Sequence, residues 1–206
     1  MKAVETLMRR APVIPVLVIH DAAHARPIAE ALVAGGLPVL EVTLRTPAAL
    51  DAIRAMNTVE GAIVGAGTVL DPAGLEASVE AGAAFIVSPG LTEPLGRAAI
   101  DSGVPFLPGV ATAADIMRGM DMGLGHFKFF PAEANGGIPA LKALTGPFPE
   151  ARFCPTGGIG EASMRDWLAL PPVLCVGGSW LVPAGAPDTA EIRARAARAV
   201  RIAGGR

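Results

Sequence analysis

The feature that most constrains the fold is a pattern that recurs eight times along the chain. A short apolar run is followed by Gly, Pro or polar residues, and most runs then lead into an alanine-rich helical stretch. The runs begin roughly 20 to 26 residues apart, which suits a strand, a helix and two short loops. They lie at residues 13–19, 39–44, 62–67, 84–88, 105–109, 126–130, 152–155 and 173–177.

Eight strand and helix units in 206 residues match the length of a compact parallel (β/α)8 barrel without inserted domains. An open doubly wound sheet is the alternative, but it usually has about five or six strands and a glycine fingerprint after the first. His20, Asp21, Ala22 and Ala23 follow the first run, and none of them is a glycine. We therefore predict an α/β protein with one domain, 1–206, that is a single compact (β/α)8 TIM barrel with an N-terminal helix.

Composition excludes several classes of partner. The chain is 51% hydrophobic with a net charge of −2, so it has no basic field that would attract nucleic acid or anionic lipid. No apolar run approaches the roughly 20 residues that span a bilayer, and residues 1–10 lack the apolar core of a secretion signal. Cys154 and Cys175 lack the paired spacing of a zinc or redox site. We expect a cytoplasmic protein with two buried free thiols.

One lysine stands in an aromatic run that otherwise has the composition of a buried strand. The run is FKFFPAE at 127–133, and its lysine, Lys128, is one of three lysines against fourteen arginines. Lysine is almost never fully buried without a partner or a function. Burial disfavours the charged ammonium, and a neutral amine is a nucleophile that forms a Schiff base with a carbonyl substrate. The alternative is a lysine on an edge strand whose amine reaches solvent.

Alternation along the strands predicts which side chains share the interior with Lys128. In the second run, Leu40, Val42 and Leu44 lie on one face and form the side expected to meet the helices. The opposite faces of the second and sixth runs then project into the barrel or towards its carboxyl-end opening, where barrel enzymes have their active sites. These inward residues are Glu41, Thr43, Arg45, His126, Lys128 and Phe130.

Small and hydroxyl-bearing residues follow several other strands. Thr68 follows the glycines of the third run, which would let a ligand approach the backbone, and Ser88-Pro89-Gly90 closes the fourth. Two glycine pairs, Gly157-Gly158 and Gly177-Gly178, follow the seventh and eighth runs, each beside a hydroxyl. This is the usual phosphate site of such barrels. The pattern therefore predicts Schiff-base chemistry on a phosphorylated 2-oxo acid, although a Glu41–Arg45 ion pair and a strand-end cap at Thr68 remain alternatives.

These segments resemble the signature segments of the bacterial 2-keto-3-deoxy-6-phosphogluconate (KDPG) aldolase family, also described as 4-hydroxy-2-oxoglutarate (KHG) aldolase. They occur in the family's order and extend over nearly the whole chain. They are EVTLRT at 41–46, GAGTV at 65–69, SPGLT at 88–92, FKFFPAE at 127–133, PTGG at 155–158 and GGSWL at 177–181.

The resemblance implies a class I, pyruvate-dependent aldolase, a lyase of carbohydrate metabolism. It cleaves 2-dehydro-3-deoxy-6-phosphogluconate to pyruvate and D-glyceraldehyde 3-phosphate in the Entner-Doudoroff pathway, and acts on 4-hydroxy-2-oxoglutarate as well. It further implies a covalent lysine imine without a metal cofactor, and a homotrimer. By motif position, Lys128 is the Schiff-base lysine and Glu41 the proton-transfer carboxylate. The substrate-binding positions are Arg45, Thr68, Pro89, Phe130, Thr156, Gly157, Gly158, Gly178 and Ser179.

The sequence is compatible with three alternative functions. The sister aldolase for the galactonate epimer shares the barrel, but its relatives tend to have an apolar residue where this chain has Thr156. A metal-dependent aldolase would need ligands, and the three histidines, His20, His24 and His126, form no recognisable ligand motif. Insensitivity to EDTA would separate that mechanism. A non-catalytic phosphosugar-binding barrel would leave Lys128 without a role. His20 and His126 are at strand positions expected near the opening.

Overall fold

The structure is a computed structural model that describes residues 2–204. Strands and helices alternate along it, as the sequence predicts. The strands are β1 (Val13–Leu17), β2 (Val39–Thr43), β3 (Ile63–Gly67), β4 (Ile86–Val87), β5 (Phe106–Leu107), β6 (Gly109–Val110), β7 (His126–Phe129), β8 (Arg152–Pro155) and β9 (Val176–Gly178). The helices are α1 (Lys2–Arg9), α2 (Ala25–Ala34), α3 (Ala49–Met56), α4 (Pro72–Glu80), α5 (Glu93–Ser102), α6 (Ala113–Asp121), α7 (Gly137–Thr145), α8 (Met164–Leu168) and α9 (Thr189–Gly204), with a 3-10 helix at Ala22–His24 before α2.

All the strand pairs are parallel, and they form a curled sheet in two parts. Six strands pair in the order β5-β4-β3-β2-β1-β9, and three pair in the order β6-β7-β8. Isolated bridges join Phe153 to Val173 and Thr156 to Gly177, between β8 and the β9 segment. The sheet is thus a half-barrel of six strands with a second, three-stranded part beside it.

The fifth predicted strand is divided in the structure. Pro108 separates β5 from β6, because proline has no amide hydrogen to donate to a neighbouring strand. Its carbonyl still accepts a hydrogen bond from the Lys128 amide at 2.8 Å. The eighth predicted run, 173–177, has its regular strand only at Val176–Gly178.

Buried apolar side chains form two groups, one on each face of the sheet. The larger group lies between the sheet and the helices and includes Leu40 and Val42. The smaller group lies on the concave face, and α1 contributes Met8 to it. Alternation along β2 is therefore confirmed, because Val39 belongs to the inner group and Leu40 to the outer one. The inner group is Met8, Ile14, Val39, Phe85, Val87, Leu107, Cys154, Leu174 and Cys175.

Local contacts define the ends of two helices and the state of the two cysteines. Gly103 ends α5 with a left-handed φ of 71°, and the Glu191 amide donates to the Asp188 carboxylate at the start of α9. Cys154 and Cys175 are buried and free. Within residues 2–204, no helix combines the length and the apolar composition that crossing a bilayer requires.

Candidate active site

Lys128 and Glu41 meet on the concave face of the sheet. Lys128 lies on β7 and Glu41 on β2, and the amine Nζ donates to the carboxylate Oε1 at 3.0 Å. Both residues are buried, with 5% and 3% of their surfaces exposed. The prediction that these two side chains share one interior is confirmed. Because an isolated buried charge is costly, each group stabilises the other.

The surroundings of Lys128 are less apolar than the sequence indicates. The Glu41 carboxylate lies on one side of the amine, and the Phe130 ring centroid is 5.3 Å from Nζ. The ammonium is thus paired with an anion, and it has a proton acceptor at hydrogen-bond distance.

Two cysteine thiols belong to the inner group of buried residues. A hydrogen bond with Cys154, complete burial and the charge of Glu41 together hold the pKa of the Cys175 thiol well above its usual range. A neutral thiol is a poor nucleophile, because thiolate is the reactive form. The Cys175 thiol is therefore held in its unreactive, neutral form.

Glycines of β3 make room for protein side chains. A Cβ at Gly67 would lie 2.2 Å from Glu41 Oε1, and one at Gly65 would lie 2.5 Å from the Phe85 ring. Both distances are shorter than any van der Waals contact. The carboxylate of Glu41 therefore depends on the missing side chain of Gly67.

Arg45 and Thr68 lie together at the carboxyl ends of β2 and β3. Arg45 Nε donates to Thr68 Oγ1 at 3.3 Å, and the rest of the exposed guanidinium makes no hydrogen bond within residues 2–204. Thr68 has a left-handed φ of 58°. A threonine in that conformation is strained by about 1–3 kcal/mol, and such strain clusters at functional sites. The Glu41–Arg45 ion pair is not formed, since Glu41 pairs with Lys128.

Pro89 precedes Lys128 in the sequence and Phe130 follows it, and both are near the strand that carries the amine. Pro89 is half-buried in the loop after β4, and a Cβ at Gly109 of β6 would lie 2.1 Å from its carbonyl oxygen. Gly109 is also the cross-strand partner of Lys128. Close packing at Gly109 thus connects the Pro89 loop to the strand that carries the amine.

The loops after β8 and β9 meet beside the loop that follows β7. The Ala132 amide donates to the Thr156 carbonyl at 2.8 Å, and the Glu133 amide donates to the Gly157 carbonyl at 3.0 Å. Gly157 and Gly158 have φ values of 105° and 81°, which favour glycine. Thr156 pairs with Gly177 of β9, next to Gly178 and Ser179.

Three amides of these loops are available to a ligand. The nitrogens of Gly157, Gly158 and Ser179 donate no hydrogen bond to any residue in the range 2–204. Unpaired backbone amides that converge in loops form anion-binding concavities. The predicted residues Thr156, Gly157, Gly158, Gly178 and Ser179 are therefore brought together, and the three free amides suit an anion.

The histidines are divided between the two ends of the sheet. His126 begins β7, and its Nε2 lies 3.7 Å from the Glu5 carboxylate of α1, at the amino end. Its expected position near the opening is wrong, because alternation predicts the face of a residue but not its height along the strand. His20 and His24 instead line a cavity together with Ser179.

Sequence patterns place neither Gly109 beside Lys128 nor His24 in a cavity with Ser179. His24 precedes α2 and carries no strand signal, so only the cavity identifies it. Gly109 ends an apolar run, and a glycine there could have indicated a close backbone approach. Across residues 2–204, no group of three or more His, Cys, Asp or Glu side chains is arranged to hold a metal ion.

Comparison with known proteins gives consistent matches over the chain. A family model described as KDPG and KHG aldolase matches residues 4–195. The 2-dehydro-3-deoxy-phosphogluconate aldolase of Zymomonas mobilis is 60% identical over 199 residues, which cover 97% of this chain and 96% of the relative.

Solved structures match as well. The Z. mobilis ZM4 2-keto-3-deoxy-6-phosphogluconate aldolase with 3-phosphoglycerate has a TM-score of 0.97 and 59% identity, and the match covers 98% of this chain and 97% of that one. The KDPG aldolase of Legionella pneumophila, with pyruvate captured as a covalent carbinolamine intermediate, has a TM-score of 0.87 and 46% identity over 98% of this chain and 97% of that one. With the family model matching most of its length, the chain belongs to the KDPG and KHG aldolase family.

Proposed function

We propose that this chain is a class I aldolase that cleaves 2-dehydro-3-deoxy-6-phosphogluconate to pyruvate and D-glyceraldehyde 3-phosphate, the splitting step of the Entner-Doudoroff pathway. 4-Hydroxy-2-oxoglutarate is a second substrate. The observation that carries the proposal is the buried Lys128–Glu41 pair with its 3.0 Å hydrogen bond. Schiff-base catalysis requires an amine beside a proton acceptor, and this pair provides both on the concave face of the sheet.

The catalytic residues are Lys128 and Glu41. Glu41 accepts the ammonium proton along the existing hydrogen bond, and neutral Nζ then attacks C2 of the 2-oxo acid. Glu41 returns this proton to the C2 hydroxyl of the resulting carbinolamine, which leaves as water and gives a protonated imine. The imine withdraws electrons as the C3–C4 bond breaks, and Glu41, directly or through one water, takes the C4 hydroxyl proton and later helps to protonate the enamine. Water then hydrolyses the pyruvate imine, which releases pyruvate and the Lys128 amine. The carbinolamine captured in the Legionella relative supports a covalent intermediate with pyruvate.

The carboxylate of the substrate binds at Arg45 and Thr68. The free edge of the Arg45 guanidinium provides two parallel donors, and the hydrogen bond from Nε to Thr68 fixes its direction. Pro89 and Phe130 form the wall against the pyruvate part of the substrate, with Phe130 directly beside the amine.

The phosphate binds at the loops after β8 and β9. The amides of Gly157, Gly158 and Ser179 donate to its oxygens, Thr156 and Ser179 add hydroxyl groups, and Gly178 leaves space for the Trp180 ring. The Z. mobilis relative with 3-phosphoglycerate supports a phosphorylated ligand in this family.

The galactonate epimer is the second candidate substrate. Thr156 is buried, with 6% of its surface exposed, and its hydroxyl lies 3.3 Å from the Cys154 carbonyl. A hydroxyl at this position favours the gluconate epimer, and so does 60% identity to a phosphogluconate aldolase. Pyruvate release from the two C4 epimers, measured with a coupled assay, is expected to give a higher kcat/KM for the gluconate. Equal values would contradict the role of Thr156.

We also propose that the two parts of the sheet close into one eight-stranded (β/α)8 barrel, and that residues 1–206 form a single domain. The bridges at Phe153 and Thr156 and the single residue between β5 and β6 support this closure. We further propose a cytoplasmic homotrimer. The proposed phosphorylated substrate supports that location, because charged phosphate esters do not cross membranes unaided.

Lys128→Ala tests the central assignment. The wild-type protein, incubated with pyruvate and borohydride, is expected to gain one reduced pyruvate adduct by mass spectrometry. The alanine variant is expected to gain none and to lose pyruvate release, because it lacks the attacking amine.

Lys142→Ala is the matched control, since Lys142 lies on the surface helix α7. Its label is expected to equal that of the wild type. A label that persists in Lys128→Ala would refute the assignment. Binding of phosphorylated ligands without any label in the wild type would favour a non-catalytic barrel.

A further inference from the structure

A cavity of about 440 Å³ opens at the carboxyl ends of β1 and β9. Its basic lining side chains are His20 and His24, its acidic one is Asp21, and Ser179 contributes a hydroxyl. Neither the aldolase chemistry nor the amides of the glycine loops account for two histidines here.

This cavity adjoins the proposed substrate site on the β1 side. Val16, which also lines it, is the cross-strand partner of Glu41. Pro15 pairs with Gly178, so Ser179 immediately follows a residue held against β1. The cavity therefore begins at the residues proposed to bind the phosphate and lies one strand from the catalytic carboxylate.

The negative charge of the phosphate also favours a role for this cavity in binding it. A phosphate ester carries about −1.5 to −2 charges at neutral pH. The loop residues proposed to bind it, Thr156, Gly157, Gly158, Gly178 and Ser179, provide amides and hydroxyls but no cation. Arg45 is already assigned to the carboxylate at the other end of the substrate.

Neighbouring charged side chains are occupied elsewhere. The Asp21 carboxylate accepts from the Ala23 amide at 2.9 Å and caps the 3-10 helix. Arg195 pairs with Glu191 and donates to the Trp180 carbonyl at 2.7 Å. Of the cavity's lining, the two imidazoles are the basic side chains that are left to face an anion.

We propose that His20 and His24 bind the phosphate of the substrate from the β1 side, opposite the glycine amides, and thereby select phosphorylated substrates. This inference rests on the proposed function. The imidazole N–H groups donate hydrogen bonds to the phosphate oxygens, and hydrogen bonds to an ionised acceptor are stronger than neutral ones. 4-Hydroxy-2-oxoglutarate has no phosphate, and its second carboxylate is C5 itself, nearer to the reacting bond than a phosphate on C6, so its binding does not use the two histidines.

Kinetics of His20→Gln, His24→Gln and the double variant test this role. For the phosphorylated substrate, each single variant is expected to raise KM about tenfold with little change in kcat, and the double variant to raise it further. For 4-hydroxy-2-oxoglutarate, kcat and KM are expected to match the wild type. The control is Arg26→Gln, which removes an exposed cation of α2 that pairs with Glu30. It is expected to leave kcat and KM unchanged for both substrates.

Inorganic phosphate provides a second test that needs no catalysis. Titration of the wild type is expected to shift the imidazole NMR signals of His20 and His24 but not that of His126, which lies at the amino end. Unchanged KM values in the double variant, or equal losses with both substrates, would overturn the proposal. A wild type that forms no pyruvate adduct would instead refute the aldolase function, and the phosphate titration would still decide on the histidines.

Discussion

At the scale of single residues, the missing side chain of Gly67 determines where the proposed catalytic carboxylate lies. Glu41 Oε1 occupies the space that a Cβ at position 67 would fill, at a separation of 2.2 Å. The carboxylate cannot retreat far, since it is buried and bonded to Lys128. A methyl group at this position must therefore displace the proton acceptor from the amine.

Gly67→Ala is expected to lower kcat by about 10²-fold or more, because a misplaced general base loses most of its contribution. It should also cost about 1–3 kcal/mol of folding free energy through overpacking. Glu41→Gln should behave similarly in turnover, and in both variants the pyruvate adduct should still form slowly. Gly74→Ala is the control: it lies in α4, and a Cβ there meets nothing nearer than 3.4 Å. Full activity in Gly67→Ala would contradict this role.

At the scale of secondary-structure elements, α1 packs against the sheet at the amino end of β7. Met8 of α1 is fully buried in the inner group, and Glu5 faces His126 at 3.7 Å. Nε2 of His126 is buried and makes no hydrogen bond within residues 2–204. Burial lowers the pKa of His126 below its usual 6.5 and Arg152 lowers it further, while Glu5 raises it in part.

This lowered pKa predicts an acid-sensitive contact. The unfolded chain binds the His126 proton more tightly than the folded protein does, so protonation favours unfolding. The free energy of unfolding should therefore fall as the pH drops from about 6.5 towards the folded-state pKa. Denaturant titrations at several pH values would measure this. The decrease that His126 causes should be absent in His126→Gln. An identical dependence of the free energy of unfolding on pH in the two proteins would contradict the prediction.

Strands β2 and β7 show which features of the site alternation in the sequence can predict and which it cannot. Alternation in β2 and β7 predicts Glu41 and Lys128 on one face, and the structure places them at hydrogen-bond distance. Period-two alternation contains no information on height, so it could not separate His126 at one end from Arg45 at the other. It also could not show that Gly67 accommodates Glu41, because that approach depends on the cross-strand register of β2 and β3.

At the scale of the whole molecule, one exposed apolar face is consistent with the proposed trimer. Met117 and Met120 lie one turn apart on α6 and are 57% and 45% exposed. Large apolar side chains that cluster on a surface mark interaction sites more often than single ones do. We expect α6 to contribute to contacts between subunits.

Three chains of 20.9 kDa would give a particle of about 63 kDa, which light scattering after gel filtration can measure. The double variant Met117→Glu, Met120→Glu should shift the mass towards 20.9 kDa, because burying two carboxylates in an apolar interface is unfavourable. Val79→Glu, at an apolar side chain of α4 that is 41% exposed, is the control and should keep the wild-type mass. A wild type of 20.9 kDa would refute the trimer, whereas a trimeric double variant would refute only the place of α6 in it.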